Sequence, residues 1–240
     1  MIKKALLNLR MYGAIDALEA LGRIDEKEAF ATALLEAELD YREQKKTANR
    51  LRVAMFPVDK NWEEIDKSLN PNIDFNAVKM LGNGDFVCKR ENVCLVGHQG
   101  TGKSHSMIAL GKELCRNGFS VKFCTAQSLI TSLVEAQDSN KLGKMMKALL
   151  KPSALFIDEM GFLPFTERGA NLLFEIFANR YERGSIIVST NLSFDKWVNL
   201  FKSVEMTAAL LDRFTHNIHV FVYAGQSVRT LKSTGQQKMQ

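Results

Sequence analysis

The chain has 240 residues, 46% of them apolar and 25% charged, which excludes wholesale disorder and collagen-like or linker-dominated architecture. No stretch approaches the roughly 20 consecutive apolar residues that a membrane-spanning helix needs, so no membrane association is expected. The net charge of +5 is compatible with an anionic partner without requiring one.

Residues 1–56 contain no proline and only two glycines, Gly13 and Gly22. The first seven residues begin like a signal peptide, but Arg10 and Asp16 interrupt the apolar run before it develops. Leu7, Met11, Ala14, Leu18 and Leu21 recur at helical spacing and predict a helix that ends near Gly22. Asp25, with Glu28 three positions on, reads as the capped start of a second helix, whose apolar stripe is Phe30, Leu34, Ala37 and Tyr41. Its end carries Arg42, Lys45, Lys46, Arg50 and Arg52 against Glu43, either a solvated face or a set of phosphate contacts. Pro57 closes the block. The expected organisation is a helical N-terminal domain (1–56), a connector (57–72) and a larger domain (73–240).

From residue 73 short apolar runs alternate with amphipathic stretches. Strands are predicted at 92–96, 121–124, 154–158, 186–190 and 218–223, with helices at 103–117, 127–150, 167–183 and 195–213. This alternation specifies an α/β fold built on a five-stranded parallel sheet covered on both faces. Lys141, Lys144, Lys147 and Lys151 are spaced to share one side of a helix, with Gly143 weakening it. The stretch is either an amphipathic surface helix or a ridge that faces DNA. Cys88, Cys94, Cys115 and Cys124 form no C-x-x-C pair and mostly lie in apolar segments, as reduced thiols of a cytoplasmic protein would. His216 and His219 have no ligand cluster beside them, so a metal site built of side chains alone is not expected.

Three motifs carry chemistry. Gly97-His98-Gln99-Gly100-Thr101-Gly102-Lys103-Ser104 fits G-x-x-x-x-G-K-[ST] and lies between a strand and a helix, as a phosphate-binding loop must. Its glycines let backbone N–H groups curl around phosphate oxygens, and the following helix adds its positive end. Lys103 is placed to reach the β and γ phosphates and Ser104 to ligate Mg²⁺. The second motif is an apolar strand ending in Asp158-Glu159, at the sheet edge where open α/β folds bind ligands. Asp158 suits the Mg²⁺ shell and Glu159 the polarisation of an attacking water. The third is a strand ending in Ser189-Thr190-Asn191, where the Asn191 amide can orient that water or contact the γ-phosphate, or merely serve a turn. Two arginines remain. Arg213 and, more weakly, Arg229 either stay with local partners or act as fingers on the nucleotide of a neighbouring subunit.

This order resembles the AAA+ ATPases of the IstB/DnaC type and, more specifically, the IstB-like helpers of insertion-sequence transposition. The similarity includes the Gly-Thr-Gly-Lys-Ser-His run at 100–105 and the stretch Ile157-Asp158-Glu159-Met160-Gly161-Phe162-Leu163-Pro164. It continues through Gly169-Ala170-Asn171-Leu172-Leu173-Phe174, Asn179-Arg180-Tyr181-Glu182-Arg183-Gly184-Ser185 and Leu210-Leu211-Asp212-Arg213. The N-terminal Leu9-Arg10-Met11-Tyr12-Gly13-Ala14 also matches. The resemblance implies a helical N-terminal domain before an AAA+ core, ATP and Mg²⁺ as cofactors, and ATP hydrolysis stimulated by assembly and DNA. It implies self-association into an oligomer on double-stranded DNA and stimulation of a partner transposase. Residue by residue it makes Lys103 and Ser104 the Walker A pair and Asp158 and Glu159 the Walker B pair. Asn191 matches the sensor asparagine, Arg213 a trans-acting finger and Arg229 a second sensor, although Val228 stands where the family commonly has tyrosine. His105 belongs to the nucleotide loop in this reading. The alternative is a helicase loader of the DnaC type, which shares the core and uses its N-terminal helices to grip a replicative helicase.

Overall fold

The computed structural model describes residues 2–21, 27–66 and 71–225. Its contacts divide the chain into Met1–Arg50 and Leu51–Gln240. In the first unit α1 (Ile2–Asn8) and α2 (Tyr12–Leu21) replace the single helix expected there. Arg10 takes a left-handed φ of +54° between them. That break shifts the apolar face by one residue, so Leu6 is buried while Leu7 stays 50% exposed. The expected cap at Asp25 lies outside the described residues. α3 (Lys27–Ala54) ends where Met55 turns left-handed at φ +62°, two residues before Pro57.

Leu6, Ala14 and Leu34 form the small core of this unit with Met11, Ile15 and Phe30. Glu38, 3% exposed, caps α2 by accepting the Ala14 N–H at 3.2 Å, and it pairs with Arg42 Nε at 2.7 Å. Burial raises its pKa, but Arg42 and the amides of Ala14 and Gly13 outweigh that effect and hold the carboxyl below its ordinary range. The basic end of α3 is partly engaged within the unit. Arg50 and Lys46 share Glu43 at 2.6 and 3.5 Å, and the Lys45 ammonium lies 4.6 Å from the Tyr41 ring centroid.

In the second unit the connector carries a 3₁₀ turn, Trp62–Glu64, with Trp62 buried. α4 (Phe75–Met80) starts on Asp74, whose carboxylate accepts the Asn76 and Ala77 N–H groups at 3.0 Å each. α5 (Asp85–Cys88) leads into the sheet. Its strands are β1 (Asn92–Gly97), β2 (Val121–Thr125), β3 (Ala154–Met160), β4 (Ser185–Thr190) and β5 (Ile218–Tyr223). All pairs are parallel and the order is β2-β3-β4-β1-β5, the five-stranded α/β sheet expected from the sequence.

The two-residue period of the strands separates two cores. Val93, Leu95, Ala154, Phe156 and Ile187 pack with α4, α5 and α6 (Lys103–Arg116). Cys94, Leu155, Ile157, Ile186 and Val188 face the other layer, formed by α7 (Ala126–Asp138), α8 (Leu142–Leu150), α9 (Glu167–Arg180), α10 (Val198–Phe201) and α11 (Val204–Thr215).

The helical stretch expected over 127–150 is therefore two helices. Asn140 is left-handed at φ +55°, and the Lys141 N–H closes the end of α7 on the Ala136 carbonyl at 2.6 Å. The stretch expected at 195–213 is likewise divided, by Lys202 at φ +57° and a fresh cap at Ser203, whose hydroxyl accepts the Met206 N–H at 3.1 Å. α9 stops at Arg180 rather than residue 183. The Arg180 side chain, 2% exposed, donates to the carbonyls of Leu149, Pro152, Ser153 and Ser185 at 3.0–3.1 Å. Burial lowers its pKa to about 10, so it remains a cation at neutral pH. No helix among the described residues is long and apolar enough to cross a membrane.

Candidate nucleotide-binding site

β1, β4 and β3 are neighbours in the sheet, and being parallel they end at one edge. The turn after β1 is the glycine-rich loop. A Cβ on Gly97 would fall 2.1 Å from the Tyr223 carbonyl oxygen of β5, so the backbones can meet only at glycine. Gly102 takes φ +93°, and a Cβ there would meet nothing within 4 Å: conformation rather than crowding selects this glycine, and its open side is bare backbone.

Lys103 opens α6, and its ammonium donates to the Gly97 and His98 carbonyls at 2.6 Å each. Thr101, 1% exposed, donates its hydroxyl to the His98 carbonyl at 2.8 Å. The loop is thus held in shape by its own side chains.

The acids lie on an irregular stretch of β3. Ile157 pairs with Val188 and Met160 with Thr190, so β3 carries one residue more than β4 over this interval, a β-bulge. Asp158 is 5% exposed and accepts hydrogen bonds from the Ser104 hydroxyl at 3.1 Å and from the Ser189 hydroxyl. Glu159 takes φ +58°, and its N–H donates to Ser189 Oγ at 3.0 Å. The bulge lets two adjacent carboxylates do different things: Asp158 turns inward to Ser104, while Glu159 is exposed to the cavity.

That cavity is about 400 Å³, within the range of small-molecule sites. Gln99, Gly100, Gly102, Lys103, Ser104 and His105 line it from the loop side, with Glu159 from β3 and Asn191 from the end of β4. Gly97, His98, Thr101 and Asp158 are outside this lining: the Gly97 and His98 carbonyls accept from Lys103, Thr101 donates to His98, and Asp158 is the buried acid beside Ser104.

The sequence reading missed Val58 and Lys60, which reach the cavity from the connector, together with Ile108, Phe162 and Ser189. No motif marks the connector. Ser189 was legible only as one of three hydroxyls, with Ser185 and Thr190, on a strand whose centre is apolar.

Arg213 is not brought to this cavity. Its guanidinium donates to the Ala209 carbonyl at 2.6 Å, lies 5.8 Å from the Phe174 ring centroid, and lines a separate small cleft with Arg90, Tyr181 and His216. Arg229 lies outside the described residues.

The Ser104 hydroxyl and the Asp158 carboxylate are adjacent hard oxygen donors. They fit Mg²⁺, which takes one or two protein oxygens beside phosphate oxygens. Among the described residues no group of three or more His, Cys, Asp or Glu side chains forms a metal cluster. Burial pushes the Cys94 and Cys124 thiols up to about 12, which keeps both protonated and unreactive at neutral pH.

Comparison with known proteins agrees with this geometry. The family model of the IstB-like ATP binding protein matches residues 5–236. The chain is 34% identical over 200 residues to an ATP-binding protein of insertion sequence IS21 from Pseudomonas aeruginosa, covering 83% of this chain and 76% of that one. It is 31% identical over 211 residues to the corresponding IS5376 protein of Geobacillus stearothermophilus, covering 88% and 84%. Among solved structures, AMPPCP-bound DnaA from Aquifex aeolicus superposes with a TM-score of 0.59 at 18% identity over 78% of this chain. The chain spans only 57% of that protein, and the likeness establishes a shared fold alone. With the match running over nearly the whole sequence, the chain belongs to the IstB-like ATP-binding protein family.

Proposed function

We propose that the protein is an ATPase of insertion-sequence transposition that assembles on double-stranded DNA and stimulates a partner transposase. The observation that carries this reading is the convergence of the 97–104 loop, the Asp158–Glu159 bulge and Asn191 on one cavity. Backbone N–H groups of the loop cradle the phosphates of ATP, and Lys103 exchanges its carbonyl partners for β- and γ-phosphate oxygens. Ser104 and Asp158 would hold Mg²⁺, which would supply positive charge to offset that of the phosphate oxygens. Glu159 takes the proton of the attacking water, Asn191 orients that water, and the products are ADP and phosphate.

Two placements support the wider reading. Arg213 lies away from its own cavity, which suits a finger delivered to a neighbouring copy and therefore an oligomer. Lys141, Lys144, Lys147 and Lys151 are all exposed along α8 and its flanks, and none forms an ion pair among the described residues, which suits contact with DNA phosphates. Arg229 acts as a second nucleotide sensor. That the similar proteins are insertion-sequence proteins favours a transposase over a replicative helicase as the partner.

ATP turnover with and without duplex DNA tests the reading, with Glu159→Gln as the control. The variant is expected to keep its affinity for Mg–ATP and to lose about 100-fold or more in turnover. Equal rates would remove Glu159 from the mechanism, and no binding of Mg–ATP by the wild type would overturn the whole assignment.

A further inference from the structure

The connector reaches the cavity through Val58 and Lys60, and it is held by two side chains of α6. His105 and Lys112 are seven residues apart, two helical turns, so they share one face of that helix. Both grip Asn61. The His105 ring donates from Nε2 to the Asn61 backbone carbonyl at 2.7 Å, and the Lys112 ammonium donates to the side-chain Oδ1 at 2.6 Å. Lys112 also pairs with Asp59.

The two ends of this pair differ in solvation. The Lys112 side chain is 10% exposed, whereas that of Asp59 is 81% exposed. A solvated carboxylate gains little from an ion pair, but a desolvated ammonium is costly unless it is partnered. Both of those partners lie in the connector, so this buried lysine serves the docking of the connector rather than the folding of α6.

The cavity lining itself has two parts. The glycine-rich loop, Glu159 and Asn191 form a polar part suited to a triphosphate tail. Val58 and Ile108 supply an apolar part, beside Lys60 and His105, suited to what a triphosphate carries at its other end. Resting on the nucleotide reading above, we propose that Asn61, locked by His105 and Lys112, is a positioning residue that fixes the connector as the wall for the nucleoside portion of the ligand.

Calorimetric titration of the full-length chain with Mg–ATP and with Mg–tripolyphosphate separates this role from general damage. Asn61→Ala and Lys112→Met are each expected to weaken ATP binding about tenfold, the scale of one hydrogen bond to a charged group. Tripolyphosphate, which has no nucleoside, should bind all variants within about twofold of wild type, and KM for ATP should rise with kcat unchanged. Unchanged ATP affinity in both variants would overturn the lock, and so would parallel loss of both ligands. A wild type that binds neither ligand would overturn the nucleotide reading itself, and the lock with it.

Discussion

Replacing Ser189 by alanine probes the bulge with the smallest change of volume. The hydroxyl accepts the Glu159 N–H at 3.0 Å and donates to the Asp158 carboxylate, and the residue is 1% exposed. A hydrogen bond to a charged group is worth about 1.5–3 kcal/mol and one between neutral groups about 0.5–1.5 kcal/mol, so the variant should lose about 2–4.5 kcal/mol. Part of this appears as stability. The rest appears in geometry, because the left-handed Glu159 backbone at φ +58° costs about 1–2 kcal/mol for an L-residue, a strain its hydrogen bond to Ser189 helps to hold. Released, the bulge relaxes and withdraws the carboxylate from the cavity. If about 1.4–2.7 kcal/mol of that loss falls on the transition state, turnover drops roughly 10- to 100-fold. Steady-state ATP turnover with DNA, together with urea unfolding, measures both parts. Wild-type turnover and an unchanged unfolding midpoint in Ser189→Ala would refute the idea that one hydroxyl organises the two acids.

Arg213→Ala should leave Mg–ATP binding by dilute protein unchanged and reduce turnover at assembling concentrations by about 10³-fold. Mixing it with Glu159→Gln should restore part of the activity, since the second variant supplies an intact arginine to a site with an intact base, and a mixture as inactive as its components would exclude a finger acting in trans. Replacing Lys141, Lys144, Lys147 and Lys151 by alanine should make the slope of log affinity for duplex DNA against log salt shallower by about 3.6, and an unchanged slope would remove α8 from the DNA interface. Glu38→Ala should destabilise the N-terminal unit by about 1–3 kcal/mol at neutral pH, read by thermal unfolding. The Glu38 carboxyl titrates below its ordinary range, so its contribution is full above that range and fades as pH falls through the depressed value. The difference between wild type and variant should therefore shrink as pH falls through that depressed value, and a constant difference would show that the cap does not depend on charge.

The sheet was legible because its inner strands β1, β3 and β4 are built on buried apolar runs, and the edge strands β2 and β5 keep enough apolar residues around Lys122 and His219 to stand out between the helices. Each observed strand lies within two residues of its expected position. Helix breaks were not legible. Arg10, Asn140 and Lys202 adopt left-handed backbone without being glycine, and apolar periodicity runs straight through such positions. The glycine-rich loop announced itself because backbone approach to phosphate demands glycine at fixed intervals. The bulge did not, since Asp158 and Glu159 are chemically alike and only the register against β4 sends them to different surroundings. Val58 and Lys60 were read as connector because their place at the cavity depends on Asn61 being held by Lys112, 51 residues further along the chain, and no local spacing records a contact of that kind.

Arg180 carries a mechanical consequence. Its four carbonyl partners come from the end of α8, the approach to β3 and the first residue of β4, so one guanidinium pins the starts of the two strands whose far ends bear Asp158 and Asn191. With that base anchored, β3 and β4 cannot slide past one another as rigid rods. The freedom left to these strands lies at the opposite rim, where the extra residue of β3 supplies slack, and a lysine in place of Arg180 would loosen the foundation while leaving every group at the rim chemically intact.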